Sequence, residues 1–108
     1  MPVNNTFVID IDDTLLIYSD SDKPVEERDA EARYDQAKEN EEEIKICNKL
    51  YKQGYTIILF TGRGWHLYQY TKNQLKEFGI KYHELLMGKP HGTWIDKDFL
   101  TTLKDVVV

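Results

Sequence analysis

The chain has 108 residues, 41% hydrophobic and 31% charged, with a net charge of −5; this is the balance of one globular domain, 1–108, rather than of a disordered chain. Its longest apolar runs, such as Ile57 to Phe60, are far too short for a membrane-spanning helix. One cysteine, Cys47, excludes an internal disulfide and a multi-cysteine metal cage, and with no basic, apolar leader in view the expected compartment is the cytoplasm.

Residues 7 to 11, Phe-Val-Ile-Asp-Ile, read as a short buried strand. From Ser19 to about Asn40 the chain is polar and charged, with Pro24 as a breaker, so residues 17–36 are expected to form an irregular excursion after that strand. Residues 20 to 45 hold 11 of the 19 acids and 5 of the 14 bases. The acidity therefore belongs mostly to one segment, read as a solvated surface, and the remainder can receive an anionic ligand. Asn40 and Glu43 form a capping-box pattern at the start of a helix. Ile44, Cys47, Leu50 and Tyr51 then recur at helical spacing on one face, expected to be the buried one, and Gly54 is a stop signal. Tyr55 to Phe60 is a second strand, rich in β-branched and aromatic residues. Leu67 to Phe78 is an amphipathic helix closed by Gly79, and Glu84 to Met87 and Thr93 to Ile95 are shorter strands. Strands alternating with helices imply a parallel sheet, whose ligands bind beyond the carboxyl ends of the strands.

The polar residues that could carry chemistry cluster at those ends. Asp10 and Asp12, two positions apart, can address one small volume in two roles, one attacking phosphorus and the other passing a proton to the leaving oxygen. Thr14 completes the Asp-x-Asp-x-Thr pattern, for which the bland reading is an acidic turn capping a helix. Thr61 and Gly62 offer a hydroxyl and an N–H to a phosphate oxygen, and Lys89 presents an ammonium in the Gly88-Lys89-Pro90 loop. Asp96 follows Trp94-Ile95 and could supply a metal ligand. Hard oxygen ligands suit Mg²⁺, and phosphoryl transfer needs positioning and charge neutralisation. Cys47 reads as core, and His83 and His91 as surface residues.

The ordered set Val8-Ile9-Asp10-Ile11-Asp12-Asp13-Thr14-Leu15, Ile58-Leu59-Phe60-Thr61-Gly62-Arg63, Gly88-Lys89-Pro90 and Trp94-Ile95-Asp96 resembles the haloacid dehalogenase superfamily of phosphohydrolases over about residues 7 to 100. The resemblance implies a Rossmann-like three-layer α/β/α fold with a mainly parallel sheet and no large cap domain. It implies that Asp10 is the nucleophile and forms an aspartyl-phosphate, and that Asp12 is general acid and then base. Mg²⁺ would be held by the carboxylates of Asp10 and Asp96 and the backbone carbonyl of Asp12, with Thr61 and Lys89 on the phosphoryl group. Thr14, Gly62, Arg63 and Tyr34 are candidate substrate-binding residues, and Tyr34, Arg63, Trp65 and His66 are candidates for the leaving-group pocket. Short members of this kind are linked to capsular or surface-polysaccharide synthesis. Two departures stand out. Asp13 occupies a position that is usually glycine, and Asp is among the few residues that tolerate unusual backbone angles. The last motif reads Asp96-Lys97-Asp98 where Asp-Asp is common.

The expected activity is a Mg²⁺-dependent phosphomonoester hydrolase acting on a small phosphorylated metabolite, a sugar phosphate. Without a cap the site is open, to be closed by a second copy of the chain, filled by a large substrate, or left with modest selectivity. A polynucleotide 3′-end phosphatase is the alternative in the same chemistry. The sequence counts against nucleic acid, because no basic groove with interleaved aromatics is visible in it. A receiver-type phospho-acceptor domain is the alternative of another class; there the acceptor aspartate lies on a mid-chain strand, whereas here it would lie on the first.

Overall fold

A computed structural model describes residues 6–19 and 32–90. Three parallel strands form the sheet: β1 (Thr6–Ile9) pairs with β4 (Thr56–Phe60), which pairs with β5 (Glu84–Leu86). The register sets Phe7 beside Ile57, and Ile9, Leu59 and Leu85 across one row. These five side chains are buried, while Val8, Ile58 and Phe60, which alternate with them, are half-buried. One face of the sheet therefore carries most of the core, as the period-2 geometry of a strand requires.

Two helices connect the strands, α1 (Glu41–Lys52) and α2 (Tyr68–Glu77). Both crossovers step the same way across the sheet, so right-handed connections place both helices on the same face. Asn48 of α1 joins them, donating from Nδ2 to the Gly79 carbonyl at 2.9 Å and accepting the Lys81 N–H at 2.8 Å. Ile44, Cys47 and Leu50 of α1 and Leu75 of α2 close on the buried row. Tyr51, expected on the buried face, is exposed and stacks on His83 at 4.6 Å between ring centroids. Gly54 and Gly79 end the two helices at φ values of 97° and 69°, where a side chain would be strained.

A two-stranded antiparallel ribbon, β2 (Leu16–Ile17) with β3 (Lys38–Glu39), brackets the excursion after β1. A 3-10 turn over Ala32–Gln36 precedes β3. The capping box does not form as the sequence suggests. Asn40 makes no side-chain bond to the helix it precedes; its Nδ2 donates to the Thr14 carbonyl at 3.0 Å and its N–H to the Leu15 carbonyl at 2.9 Å. Tertiary contact has taken the side chain that local propensity assigned to the cap, tying the ribbon to the turn after β1. The architecture is α/β and Rossmann-like with a mainly parallel sheet, and no separate cap domain occurs among the described residues. No helix among those residues is long and apolar enough to cross a membrane. The strand expected at Thr93 to Ile95 lies outside them.

Candidate active site

Three segments leave the carboxyl ends of β1, β4 and β5 and meet at one edge of the sheet. The turn after β1 winds around a single acceptor: the Ile11 carbonyl receives the N–H groups of Leu15 at 2.9 Å, Leu16 at 3.0 Å and Thr14 at 3.3 Å. This tight winding needs a left-handed residue, and Asp13 supplies it at φ 65°, with its carboxylate paired to Arg33 at 3.2 Å. Thr14 is buried within the turn.

The other two segments are locked to each other by main-chain bonds that extend the sheet ladder. Thr61 N–H donates to Leu86, Lys89 N–H to Thr61 at 2.9 Å, and Gly88 N–H to Arg63 at 2.8 Å. Gly88 has φ 74°, which favours glycine, and a Cβ there would sit 3.3 Å from Nε1 of Trp65, close enough to shift that exposed ring by a few tenths of an ångström. At Gly62 an added Cβ would meet the Lys89 carbonyl at an ordinary 3.8 Å, so packing among the described residues places no such demand there.

This frame brings Lys89 Nζ to 3.2 Å from Oδ2 of Asp10, both side chains mostly but not wholly covered. Oδ1 of Asp10 accepts the N–H of Ile11 at 2.9 Å. The Thr61 hydroxyl oxygen accepts the Arg63 N–H at 3.2 Å, which leaves its single O–H to donate elsewhere. Asp10, Asp12, Thr61, Gly62 and Lys89 thus gather at one edge. Asp96 and Asp98 lie outside the described residues, as does His91.

Arg63 and Tyr34 stand differently from the leaving-group role expected of them. Arg63 is only 1% exposed. Its Nε donates to Oδ2 of Asp12 at 3.0 Å and its Nη2 to Oδ1 at 2.8 Å, a bidentate fork. Nη1 donates to the Thr71 hydroxyl at 3.1 Å, and the guanidinium lies 4.0 Å from the centre of the Tyr34 ring. Burial lowers the Arg63 pKa, but the hydrogen bonds and charge of Asp12 outweigh it and hold the pKa above its ordinary value. Tyr18, which the sequence did not single out, donates its hydroxyl to Oδ1 of Asp12. Burial first, then the Asp12 charge, pushes the Tyr18 phenol far up, so it remains a donor. Trp65 and His66 lie on a 3-10 turn over Trp65–Leu67, and Trp65 is 59% exposed.

Among solved structures, the chain superposes on a chain of a Pnkp1/Rnl/Hen1 complex with a TM-score of 0.63 and 25% identity, over 92% of this chain and 32% of that one. It spans about a third of the length of that neighbour. A structural-genomics target from Vibrio cholerae superposes with a TM-score of 0.61 and 18% identity over 94% of this chain and 95% of the other, a likeness of fold alone. No family model and no curated protein matches the chain.

Proposed function

We propose that the chain hydrolyses phosphomonoesters through a phosphorylated Asp10. The observation that carries this reading is the approach of Lys89 to Asp10 at 3.2 Å, at a sheet edge shared with Thr61 and a firmly oriented Asp12. The likeness to a chain of the Pnkp1/Rnl/Hen1 complex supports it at the level of the fold. A carboxylate oxygen of Asp10 attacks phosphorus and the ester P–O bond breaks. Asp12 gives its proton to the departing alkoxide. Water then attacks the aspartyl-phosphate while Asp12 takes back a proton, releasing phosphate and restoring Asp10. Lys89 and the Thr61 hydroxyl stabilise the charge on the phosphoryl oxygens.

The lone-pair arithmetic at Asp12 leaves one acceptor site for this role. A carboxylate has about four acceptor sites. Arg63 takes one on each oxygen and Tyr18 a second on Oδ1, so the catalytic proton is assigned to Oδ2. By the resemblance, the Asp10 carboxylate and the Asp12 carbonyl would hold the cation, hard donors that suit Mg²⁺. Among the described residues no group of three or more His, Cys, Asp or Glu is gathered for a metal; Asp96, water and the substrate phosphate would complete such a site. The bound ion would neutralise charge on the non-bridging oxygens.

Asp10→Asn should abolish turnover of p-nitrophenyl phosphate with the circular dichroism unchanged, and metal-dependent turnover surviving in that variant would overturn the assignment. Asp12→Asn should accumulate acid-trapped phosphoprotein, because its second step lacks a base. A small sugar phosphate and the end of a polynucleotide both present the required group. The second is favoured by the surface beside Trp65, where lysines and aromatic rings adjoin the site.

A further inference from the structure

We propose that the flank of α2 below Trp65 is a docking track for a single-stranded polynucleotide. An open cleft of about 440 Å³ lies between α2 and the segment leading into β5. Lys72, Lys76 and Lys81 line it with Tyr82, and the nearby acids Glu77 and Glu84 do not. Three lysines and, among the described residues, no carboxylate line this surface, which stands out in a chain of net charge −5. Gln69 and Asn73, joined by a 3.0 Å side-chain hydrogen bond, add neutral polar groups to the same wall.

Aromatic rings carry this surface up to the site. Trp65 stacks on Tyr68 with centroids 5.7 Å apart and an interplanar angle of 29°. Lys72 lies 5.4 Å from the centre of the Tyr68 ring. Tyr82 is close enough that its phenol is pushed up by burial first and by Tyr68 second. At the upper end, the Trp65 indole sits against Gly88, whose neighbour Lys89 is paired with Asp10. From position 65 to position 76 a helical rise of about 1.5 Å per residue gives about 17 Å, room for a few nucleotides.

Charge and shape favour one occupant. Ammonium groups along a groove neutralise a repeating anionic backbone, and exposed ring faces accept bases regardless of sequence. A strand end provides both the repeating anion for the cleft and a terminal monoester for Asp10, whereas an acidic polysaccharide would need a separate phosphate to engage the site. The placement of the strand's end rests on the phosphatase reading given above; its binding to the cleft does not.

The test uses the full chain and a fluorescent oligothymidylate about a dozen nucleotides long, with and without a 3′-phosphate. Anisotropy titrations should show binding of both oligomers, weakening steeply between about 50 and about 200 mM salt. The triple variant K72A/K76A/K81A should bind at least about tenfold more weakly, with a salt slope reduced by about 2, and should hydrolyse p-nitrophenyl phosphate as the parent does. Trp65→Ala should weaken binding at least about fivefold. Absence of binding, or affinity unchanged in the triple variant, would overturn the track while p-nitrophenyl phosphate turnover still judged the phosphatase reading. Binding without any turnover would sustain the track and sink that reading. Tighter binding of a polyuronate than of the oligomer would overturn the choice of occupant.

Discussion

A guanidinium as buried as that of Arg63 must be paired, because an unpaired charge out of water costs several kcal/mol. Asp12 supplies the pair, and the fork fixes the plane of a carboxylate that would otherwise rotate freely. Arg63→Ala is expected to destabilise the chain by about 3 kcal/mol or more, read from the urea midpoint, because it leaves a cavity and a carboxylate without its countercharge. Arg63→Lys should recover part of that stability but little of any Asp12-dependent activity, since an ammonium cannot make the fork. No local pattern announces this contact; 51 positions separate the partners, and the sequence reads Arg63 as a group for the substrate. Asp13 is the opposite case, legible because its place in a tight turn demands a residue tolerant of positive φ. Asp13→Gly should leave stability within about 1 kcal/mol, relief of strain offsetting lost Arg33 pairing and a looser unfolded chain. Asp13→Val should cost about 1–2 kcal/mol, as a β-branched residue is forced into the left-handed region.

At the level of elements, apolar runs and glycine stops expose the strands and helices, because those features report burial and chain reversal directly. β1 ends at Ile9 and β4 begins at Thr56, each within two residues of the expected boundary. The ribbon of β2 and β3 was hidden for a physical reason. Two-residue strands have no period, and Lys38–Glu39 pairs through its backbone with both side chains exposed. The basic cleft was hidden differently: Lys72 and Lys76 are one helical turn apart, and only the phase of α2 and the return of the chain at Lys81 bring them together. The loop after β5 is where an element and the site are most tightly joined. Gly88→Ala should lower stability by about 1–2 kcal/mol from left-handed strain alone. It should also nudge the Trp65 indole that packs on it, seen as altered tryptophan emission together with a lower melting temperature. Unaltered emission would separate the loop from the ring that packs on it.

Across the whole molecule, groups that titrate at high pH report how well the core excludes water. Cys47 is wholly buried, its thiol donating to the Lys81 carbonyl at 3.5 Å where α1 meets the strand-leading segment. Burial pushes that thiol from 9.0 up to about 12. On the other flank, partial burial and then the bond to Asp35 push Tyr70 from 10.0 to about 12, though its ring is exposed and solvent screening keeps its part in stability small. In both, the protonated form is favoured by the folded chain, so folding retains protons that the unfolded chain releases. The resulting stability is intact below about pH 9, where neither state has lost the proton, and drains away as pH rises toward about 12. For Cys47 a shift from 9.0 to about 12 corresponds to about 4 kcal/mol at the far end of that window. Cys47→Ala should therefore start below the parent by about 1 kcal/mol near neutral pH, from the lost packing of the sulfur. It should lose stability more slowly as the solution becomes alkaline, so that the two curves of urea midpoint against pH converge and then cross. Lysine titration is common to both chains and drops out of the difference. Parallel curves from about pH 8 to about pH 11 would mean that water reaches the thiol and that the packing of α1 on the sheet is looser than its geometry indicates.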